Sequence, residues 1–165
     1  LFQFYLWRII VKIKLVVVGK TKKNELITLI NDYLKRINFY VKFNIVEVPS
    51  LKSKKINEKE LKKIEGENIL KTIEKNEVLF LLDENGKSFN SVDFSKFIEN
   101  KIQQNKNIAF AIGGAYGFSK EVYENSSQTI SISKMTFSHQ IARLFFTEQL
   151  FRAFTIINNH PYHND

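Results

Sequence analysis

The chain reads as a single α/β domain with a mainly parallel sheet flanked by helices. Apolar, strand-like runs alternate with stretches whose apolar residues recur at helical spacing, the pattern of βαβ units. Two of the runs, Val78-Leu79-Phe80-Leu81-Leu82 and Ile108-Ala109-Phe110-Ala111-Ile112, carry no polar residue, as expected of strands covered on both faces. The length of 165 residues is that of one domain. A chain of that size buries about 68–70% of its unfolded surface without metal or disulfide staples.

Residues 12–18 alternate and then run apolar (Ile13, Leu15, Val16, Val17, Val18) up to Gly19, as a buried strand does. Leu26, Ile30, Tyr33, Leu34 and Ile37 recur at helical spacing and predict a helix over 23–37. Residues 39–48 alternate again (Val41, Phe43, Ile45, then Val46 and Val48) and close at Pro49, a second strand. A loop over 50–56 leads to a helix marked by Leu61, Ile64, Leu70 and Ile73. The apolar run at 78–82 is the third strand, and Asp83-Glu84-Asn85-Gly86-Lys87 reads as the turn that ends it. Ser91 is placed to cap a helix carrying Phe94, Phe97, Ile98 and Ile102. The fourth strand, 108–112, breaks into Gly113-Gly114-Ala115-Tyr116-Gly117. A short helix (119–124), a short strand (129–132) and a long helix from about Ser138 to Ile157 complete the body. No internal repeat, low-complexity tract or linker divides it. Residues 1–11, apolar and aromatic apart from Arg8, read as an N-terminal extension to a domain over 12–165. They are shorter than the ~20 residues a membrane span needs, and they lack a signal-peptide cleavage site, so no membrane is expected.

Charge narrows the choice of partner. With 25 basic and 17 acidic residues the net charge is +8, a bias that favours a polyanion. The chain has no cysteine, which excludes disulfide frameworks and thiolate metal sites and fits a reducing compartment. With three histidines no zinc site is expected. Lys52, Lys54, Lys55, Lys59, Lys62 and Lys63 cluster, but Glu58 and Glu60 dilute them, and a solvated face is the ordinary reading of such a run.

In an α/β sheet ligands bind beyond the carboxyl ends of the strands. Three such ends here carry small or polar residues: 83–87, 113–117 and 131–137. They are expected to converge on one pocket, with Gly113, Gly114 and Gly117 letting a ligand approach the main chain. The glycine pattern lacks the spacing of a dinucleotide fingerprint. Gly86-Lys87-Ser88 looks like the end of a phosphate loop, but Leu81 stands where the first glycine is required, which excludes a nucleoside triphosphatase. His139 opens the long helix and Arg143 follows at i+4 on the same face. With Arg152 they place positive groups along one helix, suited to phosphate oxygens. Tyr162 and His163 suit stacking on, or hydrogen bonding to, a base, as in readers of single-stranded RNA. A structural cap is the competing reading of His139.

Six segments then occur together from Lys12 onward: Val18-Gly19-Lys20, Leu82-Asp83-x-x-Gly86-Lys87, Phe110-x-Ile112-Gly113-Gly114-x-x-Gly117, Ser133-x-Met135-Thr136-x-x-His139-x-x-x-Arg143, Glu148-Gln149-x-x-Arg152-Ala153 and Pro161-Tyr162-His163. In their order and spacing the chain resembles the ribosomal large-subunit methyltransferase H family, small members of the SPOUT class of S-adenosylmethionine-dependent RNA methyltransferases. The resemblance implies a C-terminal trefoil knot, which no periodicity reveals. It implies a methyl donor, S-adenosylmethionine, held without metal by Leu82, Gly113, Gly114, Gly117 and the segment Ile132, Ser133, Lys134, Met135, Thr136, Phe137. It implies a cytoplasmic homodimer in which the C-terminal tail of one subunit closes over a base beside the donor of the other. The implied substrate is a pseudouridine in helix 69 of 23S ribosomal RNA, methylated at N3 on the assembled ribosome. His139, Arg143, Arg152, Tyr162 and His163 are then the catalytic candidates. Either histidine fits a proton acceptor by residue type, and either arginine fits stabilisation of charge on the base or contact with phosphate. Ser138 stands where relatives commonly have proline, which implies a looser turn, and Phe151 stands where a tyrosine is usual. A SPOUT enzyme with another RNA target and a non-catalytic ribosome-binding factor are the rival readings.

Overall fold

The computed structural model describes residues 11–51 and 56–162. Five strands, β1 (Lys12–Val18), β2 (Lys42–Val48), β3 (Glu77–Ser88), β4 (Asn107–Ile112) and β5 (Gln128–Ser131), form one sheet in the order β2-β1-β4-β3-β5. Every neighbouring pair is parallel, so the expectation of a mainly parallel sheet is met by a wholly parallel one. Helices α1 (Asn24–Tyr40), α3 (Ser91–Gln103) and α5 (His139–Ile157) share one face, with α5 packed against both others. Helices α2 (Glu58–Leu70) and α4 (Lys120–Glu124) pack together on the other.

The strands divide their side chains between these layers with period two. Ile13, Leu15, Val17, Phe80, Phe110 and Ile112 join the larger core with Ile37, Ile98, Phe146 and Phe154. Val16, Val18, Leu79, Leu81, Ala109 and Ala111 join the smaller one with Ile69 and Val122. Val11, placed by sequence in the N-terminal extension, is buried in the larger core, and residues 1–10 lie outside the described residues. Among the described residues no helix is long and apolar enough to cross a membrane.

Three boundaries differ from expectation, each for a local reason. The strand expected from residue 39 begins at Lys42, because α1 runs on to Tyr40, whose ring stacks on Phe154 at 5.7 Å. Asn38 ties the last turn of that helix to β2: its Nδ2 donates to Leu34 O (2.9 Å) and Phe43 O (2.8 Å), and its Oδ1 accepts from Phe43 N (3.0 Å). The turn at 83–87 does not end β3. Leu82 and Lys87 both face Ile130, so residues 83–86 bulge out and the strand resumes. Asp83 Oδ1 shapes the bulge by accepting from Asn85 N at 2.9 Å, the turn chemistry of an Asx residue. The cap of α3 is Asn90, which accepts from Asp93 N at 2.7 Å. Ser91 is the first helical residue, and its hydroxyl donates to Gln149 Oε1 at 3.1 Å.

Helix α2 buttresses the loop after β4. Glu65 is 3% exposed, accepts a hydrogen bond from Ser50 Oγ at 3.2 Å, and has no partner for Oε2 among the described residues. A Cβ on Gly114 would lie 2.3 Å from that oxygen, so the Glu65 carboxylate sits this close only because Gly114 has no side chain. Burial holds the Glu65 carboxyl above the usual carboxylate range, partly opposed by the Ser50 hydrogen bond. A group whose pKa is higher in the folded state favours folding at low pH and loses that contribution as the pH rises through its folded value. Glu65→Gln removes this titration. Its melting temperature relative to wild type is therefore expected to climb as the pH is raised from about 4 to about 8. Thermal denaturation across that range checks it, and a pH-independent difference would refute the assignment.

Candidate active site

The carboxyl ends of β3, β4 and β5 lie side by side, and the segments leaving them meet around a cavity of about 730 Å³. Leu82, Gly113, Gly114, Gly117, Ile132, Ser133, Met135, Thr136 and Phe137 all line it, as does His139. Lys134 is exposed and stands outside the lining. Hydrogen bonds tie the loop after β5 to the bulge of β3, tie α4 to that bulge, and close the glycine loop on itself. Thr136 Oγ1 donates to Glu84 Oε2 at 2.5 Å, and Tyr123 OH donates to Asp83 Oδ2 at 2.7 Å. Ser131 Oγ donates to Ser133 O at 2.8 Å, and Met135 N donates to Ser133 Oγ at 3.0 Å. Gly117 N donates to Gly114 O at 3.2 Å, closing the glycine loop on itself with Gly117 at φ +76°, a conformation that favours glycine.

Sequence reasoning missed part of this lining. Residues 83–87 were expected to form one of the pocket loops, but Asp83, Glu84 and Asn85 were not singled out as site residues; they place two carboxylates and an amide at the cavity wall. Tyr116, 53% exposed inside the glycine loop, was the one large side chain in a run of small ones and was a legible signal. Tyr123 gave none, since its tie to Asp83 spans 40 residues. Lys62 reaches the cavity from the lysine-rich helix and pairs with Glu58 at 3.2 Å. Lys52, Lys54 and Lys55 of that cluster lie outside the described residues.

His139 is the first residue of α5, directly after the cap Ser138, whose hydroxyl accepts from Ile141 N at 3.4 Å. The Ser138 hydroxyl thus caps the first turn of α5. Burial, then Arg143 and Lys22, hold the His139 imidazole below the ordinary histidine value, and the positive end of the helix acts in the same direction. His139 therefore presents a neutral ring to the cavity at neutral pH. Tyr123 is pushed the other way, chiefly by burial and then by Asp83.

The remaining candidates lie elsewhere. Arg143 is fully buried and faces inward: Nη2 donates to Val18 O at 2.6 Å and Nη1 to Thr21 Oγ1 at 2.9 Å. It does not line the cavity. Arg152 forms a second cluster farther along α5. Its Nη2 meets Glu148 Oε1 at 2.7 Å and its guanidinium lies 4.9 Å from the Tyr162 ring centroid. Tyr162 OH donates to Glu148 Oε1 at 3.3 Å and lies 3.5 Å from Tyr33 OH. Its ring meets Phe151 edge-on at 4.9 Å. The hydrogen bond with Tyr33, then burial and Glu148, push Tyr162 up to about 12. The helical rise puts Arg152 roughly 20 Å along the axis from His139. One chain thus brings the three loops and His139 together and leaves Arg152 and Tyr162 apart. His163 lies outside the described residues.

Residues 11–163 match the family model described as "Predicted SPOUT methyltransferase". The chain is 51% identical to the ribosomal RNA large subunit methyltransferase H of Christiangramia forsetii, over 92% of this chain and 98% of that one. It is 49% identical to the protein of the same name from Flavobacterium johnsoniae, over 92% and 98%. It is 47% identical to that of Phocaeicola vulgatus, over 93% and 99%. Among solved structures, a probable methylase family protein from Haemophilus influenzae Rd KW20 shares the fold, with a TM-score of 0.50 at 12% identity over 94% of this chain and 70% of that one. Matched along nearly its whole described length, and about half identical to relatives of the same size, the chain belongs to the SPOUT methyltransferases and, within them, to the ribosomal RNA large subunit methyltransferase H family.

Proposed function

We propose that this chain acts in the cytoplasm as a homodimer, with its C-terminal region knotted as a trefoil. It transfers the methyl group of S-adenosylmethionine to N3 of a pseudouridine in helix 69 of 23S ribosomal RNA, on the assembled ribosome. The observation that carries this reading is the cavity on which three chain segments converge, with a neutral His139 on its wall. Its volume falls in the range of small-molecule and cofactor sites. Its lining suits the donor. Leu82, Ile112, Ile132 and Met135 offer apolar cover for a purine ring, the glycine loop offers main-chain groups, and Asp83 and Glu84 set negative charge where a sulfonium cation would be held. When bound, the donor supplies an electrophilic methyl group on sulfur and leaves as the thioether. The chain's own part is positioning and proton removal. His139 accepts the N3 proton through its neutral ring. Arg152 and Tyr162, too far along α5 to serve the same cavity, serve the partner subunit's.

Purified protein incubated with labelled donor and ribosomes lacking the modification is expected to place label in helix 69. Label at another nucleotide would assign a different RNA target. Ribosome binding with neither transfer nor donor binding by calorimetry would assign a non-catalytic factor.

Protonation silences a base, so kcat/KM is expected to fall on the acid side, at a pH below the ordinary histidine range because His139 is held below it. His139→Gln should remove that limb and lower kcat about 10²–10⁴-fold. An acid limb that survives His139→Gln but vanishes in His163→Gln moves the proton acceptor to the tail.

A third expectation concerns the shared site. His139→Ala and Arg152→Ala protomers, each inactive alone, should regain activity when mixed and re-dimerised, because a mixed dimer holds one complete site. No recovery in verified heterodimers would refute the shared arrangement.

A further inference from the structure

The loop joining β1 to α1 carries Lys20, Lys22 and Lys23, all exposed. Lys23 is the N-cap of α1, and its side chain makes no capping hydrogen bond. Stability alone asks for Ser, Thr, Asp or Asn at such a position, and cations beside the positive end of a helix are unfavourable. A local rule broken without local compensation is the mark of a functional segment. The loop is nevertheless firmly held. Gln140 grips it twice, accepting from Lys22 N at 3.0 Å and donating to Lys20 O at 3.2 Å. Arg143 lies beneath it, bonded to Val18 O and Thr21 Oγ1, fully buried and with Nε unpartnered among the described residues. Thr21 N donates to Glu47 Oε1 at 3.2 Å. Glu47 on β2 and Glu25 in the first turn of α1 offset only part of the charge of three lysines and a buried arginine. Gln140 follows His139 in the chain, and His139 lines the cavity. The loop is thereby held beside the start of α5, and Lys22 is near enough to act on His139 at the cavity wall.

We infer that Lys20, Lys22 and Lys23 form a docking ridge for the phosphodiester backbone of the RNA strand whose base enters the cavity, and that Gln140 and Arg143 are positioning residues that hold the ridge against the start of α5. The inference rests on the RNA methyltransferase reading and gives it a strand path. Backbone contacts of this kind set orientation rather than sequence choice. They also explain why Arg143, a cation on the same helix as His139, is spent inward: it acts on RNA through the loop.

The test is equilibrium binding of the full chain to ribosomes, and to a helix 69 RNA hairpin, as a function of salt, with donor affinity measured alongside. Replacing the three lysines by alanine is expected to weaken RNA binding about 10–100-fold and to flatten the log–log salt slope by about 0.7 for each phosphate that is no longer neutralised, while donor affinity holds. Arginine at the same three positions should restore both. Gln140→Ala should give a smaller loss that disappears when the lysines are already alanine. An unchanged salt slope in the alanine variant of a chain whose wild type binds RNA and transfers methyl would overturn the ridge and spare the enzyme reading. Absence of RNA binding by the wild type would overturn both. Equal loss of donor and RNA binding would make the loop merely structural and overturn the ridge. So would loss of binding to phosphatidylserine vesicles with RNA binding intact.

Discussion

A buried guanidinium joins the two ends of this fold. Arg143 is the largest fully buried side chain among the described residues. Its bond to Val18 O links the last helix to the end of the first strand across 125 positions of chain. Burying a charge is expensive unless its hydrogen bonds are made, and here a carbonyl and a hydroxyl meet two of the three guanidinium nitrogens. The geometry fixes where α5 begins. That in turn fixes His139 at the cavity wall and Gln140 against the loop after β1. A lysine could carry the charge but not the planar fork.

The cavity is a product of parallel topology. In a wholly parallel sheet every strand runs the same way, so the bulge of β3 and the loops after β4 and β5 emerge together. They are held by side chains rather than by ladder bonds: Thr136 to Glu84, Tyr123 of α4 to Asp83, and Ser131 and Ser133 within their own turn. The bulge in β3 belongs to this scheme. It lifts Asp83, Glu84 and Asn85 off the ladder and into the wall before the strand resumes its pairing with β5.

Much of this was legible in sequence, for identifiable reasons. The strands showed as apolar runs because both faces are covered, and the three converging loops followed from the rule that strand ends hold ligands. Helix α1 ran past its expected end because Tyr40 finds Phe154, a contact between distant parts of the chain. The bulge in β3 looked like a terminus because turn chemistry is local while the return to the ladder is not. Arg143 was expected to face outward because i+4 spacing gives a shared helix face and says nothing of whether that face is wet. Arg152 and Tyr162 lie a helix length from His139 within one chain, a separation that periodicity shows for Arg152, while the resemblance had already assigned the tail to the other subunit's site. The buried meeting of Glu65 with Gly114 was invisible, since nothing in either neighbourhood announces the other.

That meeting carries a consequence for how such a chain can drift over generations. A methyl group at position 114 would meet the end of the side chain at position 65, so any residue but glycine at 114 requires that carboxylate to move or to be replaced. The two sites are coupled in the manner of touching residues whose effects do not add. What is tolerated at one position therefore depends on what stands at the other, although the two are far apart in the chain.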